Sequence, residues 1–547
     1  MTLSATSTQA ARSDTAEALR IGFENDAVGT LPSGWTAGST LGGASKGSDA
    51  GWRCEVTAAN AFGGSKSLAI SAPANARDDS GAPSWTTDAT PFRDSAIRVT
   101  LRTRADAGPI VTLTIARPGH SRGFNGLLIA GEPDARGWRT FTIDAGVAAD
   151  ATSMTLAIQP DASPKALPIS LDDLEVQSVA RLSERPYELR FIAGSLLDAP
   201  NIAPFALRSQ ALSAFAGRDV VMHAAVVAPP GADLATLPIC YTIHGFGGNH
   251  TAAWRSGPGL LAEMAGQPAR NFVHVFLDGS CELGHHEFAD SANNGPWGEA
   301  LVHELIPAIE RAHGGERLQG MRFVRGHSSG GWSALWLQVT YPDRFGGCWA
   351  SAPDPVDFRD FSGIDLFRDR NMYRDDAGRE RPLVVNGDTT LETVERYVRG
   401  EMAVGAFGGQ LASFEAVFSP RGDDGKPKRL FDRATGEIDR NLVEAWKRYD
   451  IGHLLRSRWT ELAPKLRGKL HVWCGDNDTF RLDGAVRLLK RDLAELGSDA
   501  DILLVQGRNH GSLFNAHETL WPEGMLARQQ REMEAAARRS ATSHSLR

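Results

Sequence analysis

Cysteine, tyrosine and methionine are scarce in this 547-residue chain, with 5, 6 and 9 residues. Five cysteines cannot all pair internally, and their spacing supports neither a disulfide framework nor a zinc site. Cys240, Cys348 and Cys474 fall in apolar runs and read as buried thiols that act as small apolar side chains, while Cys54 and Cys281 lie elsewhere. A run of 18 apolar residues is also missing, which excludes a membrane-spanning helix. Positive charge is not in excess: 58 Lys and Arg stand against 66 Asp and Glu, for a net charge of −8. Without a basic stripe to contact phosphates, nucleic acid and anionic membranes are excluded as partners. Internal repeats are absent. Met1 to Leu19 is rich in Ser, Thr and Ala without an apolar stretch, and reads as a disordered leader.

Glycine, by contrast, is abundant at 57 residues, and one cluster of it carries chemistry. Gly326-His327-Ser328-Ser329-Gly330 follows the apolar run Met321–Arg325 and precedes the helix-like stretch Trp332–Thr340. This is G-x-S-x-G in strand–turn–helix context, the nucleophile elbow. A sharp turn there strains the serine backbone, and glycine two residues away on each side leaves room for it. Upstream, the buried-type strand Ile239–Ile243 runs into His244-Gly245-Phe246-Gly247-Gly248. Such a turn supplies one backbone N–H of an oxyanion hole, from Phe246 with Gly247 as the alternative, and Ser329 supplies the other. His244 is expected to orient this loop by hydrogen bonds rather than act as the base.

Two C-terminal strands complete the pattern. Lys469–Cys474 ends in Gly475-Asp476-Asn477-Asp478, and Ile502–Gln506 ends in Gly507-Arg508-Asn509-His510, with helical spacing between Asp483 and Leu496. The order Ser328, Asp478, His510 suits a nucleophile, an orienting acid and a base delivered at one edge of a parallel sheet. Asp476 is a rival acid, and Asp354, after the strand that follows the elbow, is a third. His285-His286-Glu287 beside Asp290 has some metal-ligand character but lacks helix-spaced histidines, and reads as pocket rim.

With these residues in view, residues 215–525 resemble the esterase branch of the α/β-hydrolases, which includes enterochelin esterase-like, S-formylglutathione hydrolase-like and feruloyl or acetyl-xylan esterases. The likeness rests on His244–Gly248, Gly295-Pro296-Trp297 leading into Glu299–Glu310, the elbow, Tyr341–Phe345, Gly475–Asp478 and Asn509-His510. It implies a doubly wound, mostly parallel sheet, a Ser328, Asp478, His510 triad and no cofactor for catalysis. Ser329 departs from the methionine or leucine of many relatives and makes the pocket more polar.

The first third alternates apolar and polar residues at Arg20–Glu24, Ser67–Ser71, Ile97–Thr103, Ile110–Ile115, Trp138–Ile143, Met154–Ile158 and Pro168–Val176, the pattern of an antiparallel β-sandwich. Its opening Phe23-Glu24 and closing Asp172-Asp173 resemble the jelly-roll modules that accompany carbohydrate-active enzymes. That resemblance implies adjacent first and last strands and a structural calcium, with Glu24 and Asp172 or Asp173 as candidate ligands. Trp35, Trp52 and Trp85 are candidate sugar contacts.

The resulting division is a leader at 1–19, a sandwich at 20–178, a linker at 179–205, a hydrolase at 206–358 and 466–530, a lid or pocket wall at 359–465 holding a short strand at 382–386, and a tail at 531–547. Ser209–Val227 reads as the first hydrolase strands. The expected function is a serine hydrolase that cleaves carboxylic esters through an acyl-enzyme, on a small-molecule or carbohydrate ester such as an acyl or feruloyl ester. A peptidase or amidase of the same fold, and a non-catalytic sugar-binding protein, are the alternatives. The expected location is secreted or periplasmic.

Overall fold

The computed structural model describes residues 18–36, 53–71, 83–93, 95–104, 109–117, 120–124, 129–130, 134–147, 151–160, 169–179, 201–267, 270–281, 283–404 and 409–545. The chain divides at Leu196–Leu197 into two compact units. The first is built of two antiparallel sheets, of seven and five strands. Leu68, Ile70, Val99 and Leu101 from one sheet and Trp85, Leu113, Met154 and Leu156 from the other share a single buried cluster, so the alternating pattern makes a sandwich. Each fully buried aliphatic side chain of this kind contributes about 1.5–3 kcal/mol. The first strand, Ala18–Ile21, pairs antiparallel with the last, Ile169–Val179.

The candidate calcium ligands Glu24, Asp172 and Asp173 all make polar contacts within the sandwich. Glu24 Oε1 accepts the N–H groups of Ser65 and Lys66 at 2.9 and 2.8 Å, and its Oε2 accepts the Ser65 hydroxyl at 2.8 Å. Asp172 Oδ2 accepts from the N–H groups of Phe62 and Gly63 at 2.8 and 3.1 Å, while Asp173 pairs with Arg102 at 3.0 Å. Through these bonds Glu24 and Asp172 staple the 62–66 turn. The tryptophans differ from expectation: Trp35 and Trp85 are only 4% and 7% exposed, core side chains with no face to offer a sugar, and Trp52 lies outside the described residues.

The second unit holds an eight-stranded sheet, whose strands are β1 Ile202–Ser209, β2 Val220–Val227, β3 Ile239–Ile243, β4 Val273–Leu277, β5 Arg322–His327, β6 Gly347–Ser351, β7 Leu470–Gly475 and β8 Asp501–Val505. Their spatial order is β1-β2-β4-β3-β5-β6-β7-β8. β1, β2 and β4 pair antiparallel, and the remaining pairs are parallel. β4 and β6 are buried at every residue, as strands covered on both faces must be, which explains their unbroken apolar runs. β3 aligns Ile243 with Gly326 of β5, so the 244–248 turn and the elbow leave the sheet side by side.

Three boundaries shift. The unit starts with β1 at Ile202, inside the expected linker, and Gln210–Ala216 is a helix capped by Ser209 rather than strand. The 359–465 segment is the crossover that joins parallel β6 to β7, and Phe361, Leu366, Phe414, Phe418, Trp446 and Leu455 lie in the same core as Trp332 and Trp336. It is packed structure that brings Gln410 within 3.5 Å of Asp354, and it includes the hairpin Pro382–Asn386 with Thr389–Thr393. The expected tail belongs to the helix Met525–Ser545, which buries Met533 and Ala537. Glu532 on that helix accepts the indole N–H of Trp349 in β6 at 2.8 Å.

Candidate active site

The elbow's geometry follows from its glycines. Ser328 adopts φ 58°, ψ −126°, a strained conformation outside the regions open to ordinary residues. A Cβ on Gly326 would lie 2.0 Å from the carbonyl oxygen of Gly330, and one on Gly330 would lie 2.1 Å from that of Ile243. Neither site admits any other residue without moving backbone. The turn is fastened by Ser328 N–H to Ser351 O at 3.0 Å, and Ser328 O accepts from Gly331, Trp332 and Asp354 N–H groups at 2.8, 3.0 and 3.2 Å. The strain is thus over-determined by its surroundings. Helix Ser329–Thr340 then starts with its N-terminus at the nucleophile position.

The 244–248 turn stands against this elbow. A Cβ on Gly245 would meet Ser328 Cβ at 3.2 Å, and Gly247 takes φ +79°. His244 Nε2 accepts the Gly279 N–H at 2.8 Å, which assigns its proton to Nδ1, and Nδ1 donates to Gly245 O at 2.8 Å. The ring orients the turn. Among the described residues the N–H groups of Phe246 and Ser329 have no hydrogen-bond acceptor.

Asp478 and His510 come together at the ends of β7 and β8. His510 Nδ1 lies 2.9 Å from Asp478 Oδ2, while Asp478 Oδ1 accepts the N–H of Phe480 at 2.8 Å. Asp478 is 1% exposed. Asp476 is directed elsewhere: its Oδ1 accepts the Gly507 N–H at 2.7 Å and ties the two loops together. The His510 ring packs 4.4 Å from His327 and 4.9 Å from Phe480, centroid to centroid, and Phe514 lies 4.6 Å from His327. These aromatic neighbours carried no sequence signal beyond their type.

Asp354 also reaches the elbow. Its Oδ1 accepts the Ser328 hydroxyl at 3.3 Å and its Oδ2 the Ser329 hydroxyl at 2.6 Å, with Gln410 Nε2 3.5 Å from Oδ2. In this arrangement Ser328 donates to Asp354 and not to His510; catalytic hydrogen bonds are commonly misaligned in the absence of substrate. Burial, reinforced by the nearby Glu287 carboxyl, pushes Asp354 up to about 7. Glu287 itself is fully buried beneath the helix, accepts the Ser333 hydroxyl at 2.7 Å, and is pushed by burial to about 8. The His285-His286-Glu287 segment is accordingly not a rim but part of the floor, with all three side chains shut off from solvent. No disulfide joins any of the five cysteines; Cys54, Cys240, Cys348 and Cys474 are buried.

The sheet order, the strained turn between β5 and its helix, and a histidine and acid from the last two strands define the α/β-hydrolase class. Within it, the chain belongs to the Esterase family ("Putative esterase"), matched over residues 218–539, and is a carboxylic ester hydrolase. Solved structures similar to it include a ferulic acid esterase at 13% identity, covering 56% of this chain and 91% of that one, TM-score 0.35. The S-formylglutathione hydrolase of Agrobacterium tumefaciens is 18% identical over 62% of this chain and 95% of its own, TM-score 0.33. The fluorophosphonate-binding serine hydrolase FphF of Staphylococcus aureus is 13% identical over 61% and 98%, TM-score 0.35. No curated protein matches the chain. Among the described residues no helix is long and apolar enough to cross a membrane.

Proposed function

We propose that Ser328 is the nucleophile, His510 the general base and Asp478 the acid that orients it, in an esterase working through an acyl-enzyme. The observation that carries this reading is the 2.9 Å contact of His510 Nδ1 with Asp478, beside a serine held at φ 58°. Nδ1 donates to the carboxylate, which leaves Nε2 as the acceptor for the Ser328 proton. The serine oxygen attacks the ester carbonyl, and the N–H groups of Phe246 and Ser329 receive the oxygen on which charge develops. Losing one such donor costs about 10²–10³ in rate. His510 returns the proton to the departing alcohol, and water then repeats the sequence to free the acid.

Phe480 and Phe514 give this edge aromatic surface beside His510 and His327. They favour esters with an aryl or other flat apolar part, including feruloyl esters of carbohydrates. The test is a panel of short-chain aryl esters, feruloyl esters and peptide anilides, run with wild type and Ser328→Ala, together with mass mapping of an organophosphonate adduct. Ester turnover lost in the variant and an adduct on Ser328 are expected. An adduct on another residue, or anilides cleaved faster than esters, overturns the proposal.

A further inference from the structure

Below the nucleophile lies a feature that triad chemistry does not use. Two carboxyl groups from distant parts of the chain, Asp354 after β6 and Glu287 in the loop after β4, are buried against the first turns of the helix Ser329–Thr340. Asp354 is 2% exposed and touches the elbow through main chain and side chain alike, its N–H bonding Ser328 O at 3.2 Å and its carboxylate both Ser328 and Ser329 hydroxyls.

Geometry also speaks to the proton on Glu287. His285 Nδ1 accepts the Glu287 N–H at 3.1 Å, so it carries no proton of its own, yet Glu287 Oε1 lies 3.3 Å away with no hydrogen-bond donor. Two acceptors facing each other inside the protein are costly, and a proton on the Glu287 carboxyl removes the conflict. Burial, the first cause, holds the His285 ring neutral by lowering it to about 4, so the proton belongs to the acid.

We propose that Asp354 is a positioning residue for the nucleophile: ionised, it draws the Ser328 hydroxyl to itself; protonated, it releases that hydroxyl to His510. The proposal rests on the assignment of Ser328 and His510 above. A hydroxyl has one proton to donate, so Ser328 cannot serve a carboxylate at 3.3 Å and His510 Nε2 together. A charged carboxylate is the stronger acceptor and wins that competition. It also sets a negative charge beside an oxygen that becomes negative during attack, which opposes the reaction. Once a proton from solvent neutralises Asp354, both effects vanish.

The groups that face Asp354 set where this happens. Burial, then the Glu287 carboxyl, favour the neutral form; the Ser329 hydroxyl and His510 favour the ionised one, His285 adds little while its ring is neutral, and Gln410 reaches Oδ2 from the helix Gln410–Phe418. The balance falls at about 7.

The test is the pH profile of kcat/KM on a soluble aryl ester for wild type and Asp354→Asn, whose amide keeps the shape but cannot ionise. Wild type is expected to lose activity above about pH 7, approaching tenfold per unit, and Asp354→Asn to lose this alkaline decline. Parallel profiles, or an Asp354→Asn protein that folds but is inactive at every pH, overturn the proposal. If the variant does not fold, the rate of organophosphonate labelling of wild-type Ser328 takes its place: a rate that falls above neutrality supports the proposal, and one that stays flat or rises overturns it. Labelling at Ser328 with no such decline rejects this inference alone, whereas labelling elsewhere rejects the assignment of the nucleophile.

Discussion

Two loops at neighbouring strand ends each hold an aspartate against the same site, and the surroundings of each decide what it can do. In the loop after β7, Asp478 accepts a backbone N–H and faces the His510 ring. In the loop after β6, Asp354 faces two serine hydroxyls and a second carboxyl, and its proton affinity is raised to about 7. Asp478 is engaged by a backbone N–H and an imidazole, whereas burial beside a second carboxyl favours a protonated Asp354. Residue type alone does not separate these roles; hydrogen-bond donors do.

Removing the serine tests whether either loop matters. Ser328→Ala should lower turnover by about 10⁴–10⁶, read as kcat on an aryl ester with circular dichroism to confirm folding. Loss of less than about tenfold would place the chemistry elsewhere.

Asp478→Asn should cost about 10³–10⁴ in kcat, since the imidazole loses the partner that fixes its tautomer. Asp354→Asn, assayed near pH 6.5, should cost far less. The reverse ranking would exchange the roles of the two loops.

Stability gives an independent reading of the second loop. Asp354 and Glu287 are raised from 3.8 and 4.5 to about 7 and about 8, so the folded protein holds their protons more tightly than the unfolded chain. Their contribution is complete below the ordinary carboxyl range and lost as pH rises through about 7 and 8. Urea unfolding from about pH 5 to pH 9 should show a decline on the order of a few kcal/mol that is flattened in Asp354→Asn/Glu287→Gln. Unchanged pH dependence in the double variant would mean that the pair is ionised throughout.

The smallest effect is expected at Asp476, which fastens Gly507 and does not touch His510. Asp476→Asn should reduce turnover by less than about tenfold, measured on the same ester.

What was legible in the sequence follows from which demands are local. The elbow was readable because no residue but glycine fits at Gly326 and Gly330, and the parallel strands because burial on both faces leaves unbroken apolar runs. Asp478 and His510 were readable as strand-end residues in the right order. The Asp354–Glu287 pair was not, since 67 residues separate its members and only the sheet brings them together. Polar letters at 285–287 suggested a rim, yet hydroxyl and imidazole partners allow that polarity to be buried. Trp35 and Trp85 could not be told from sugar platforms by type, because only the packing of two sheets shows which face of an indole is covered. The C-terminal residues, rich in Arg, Glu and Ala, looked like a tail because few of them are apolar, although Met533 and Ala537 suffice to dock the helix.

That docked helix governs timing as well as packing. Arg528 lies 4.6 Å over the ring of Trp473 in β7, and Glu532 holds Trp349 in β6, so two adjacent strands of the sheet are completed by residues that come after His510 in the chain. A nascent chain therefore has its sandwich available to fold before the hydrolase sheet, which waits for the helix Met525–Ser545. A message truncated after His510 would encode every residue of the proposed triad and yet release a protein with an unsealed core, prey to aggregation and proteolysis rather than a smaller enzyme.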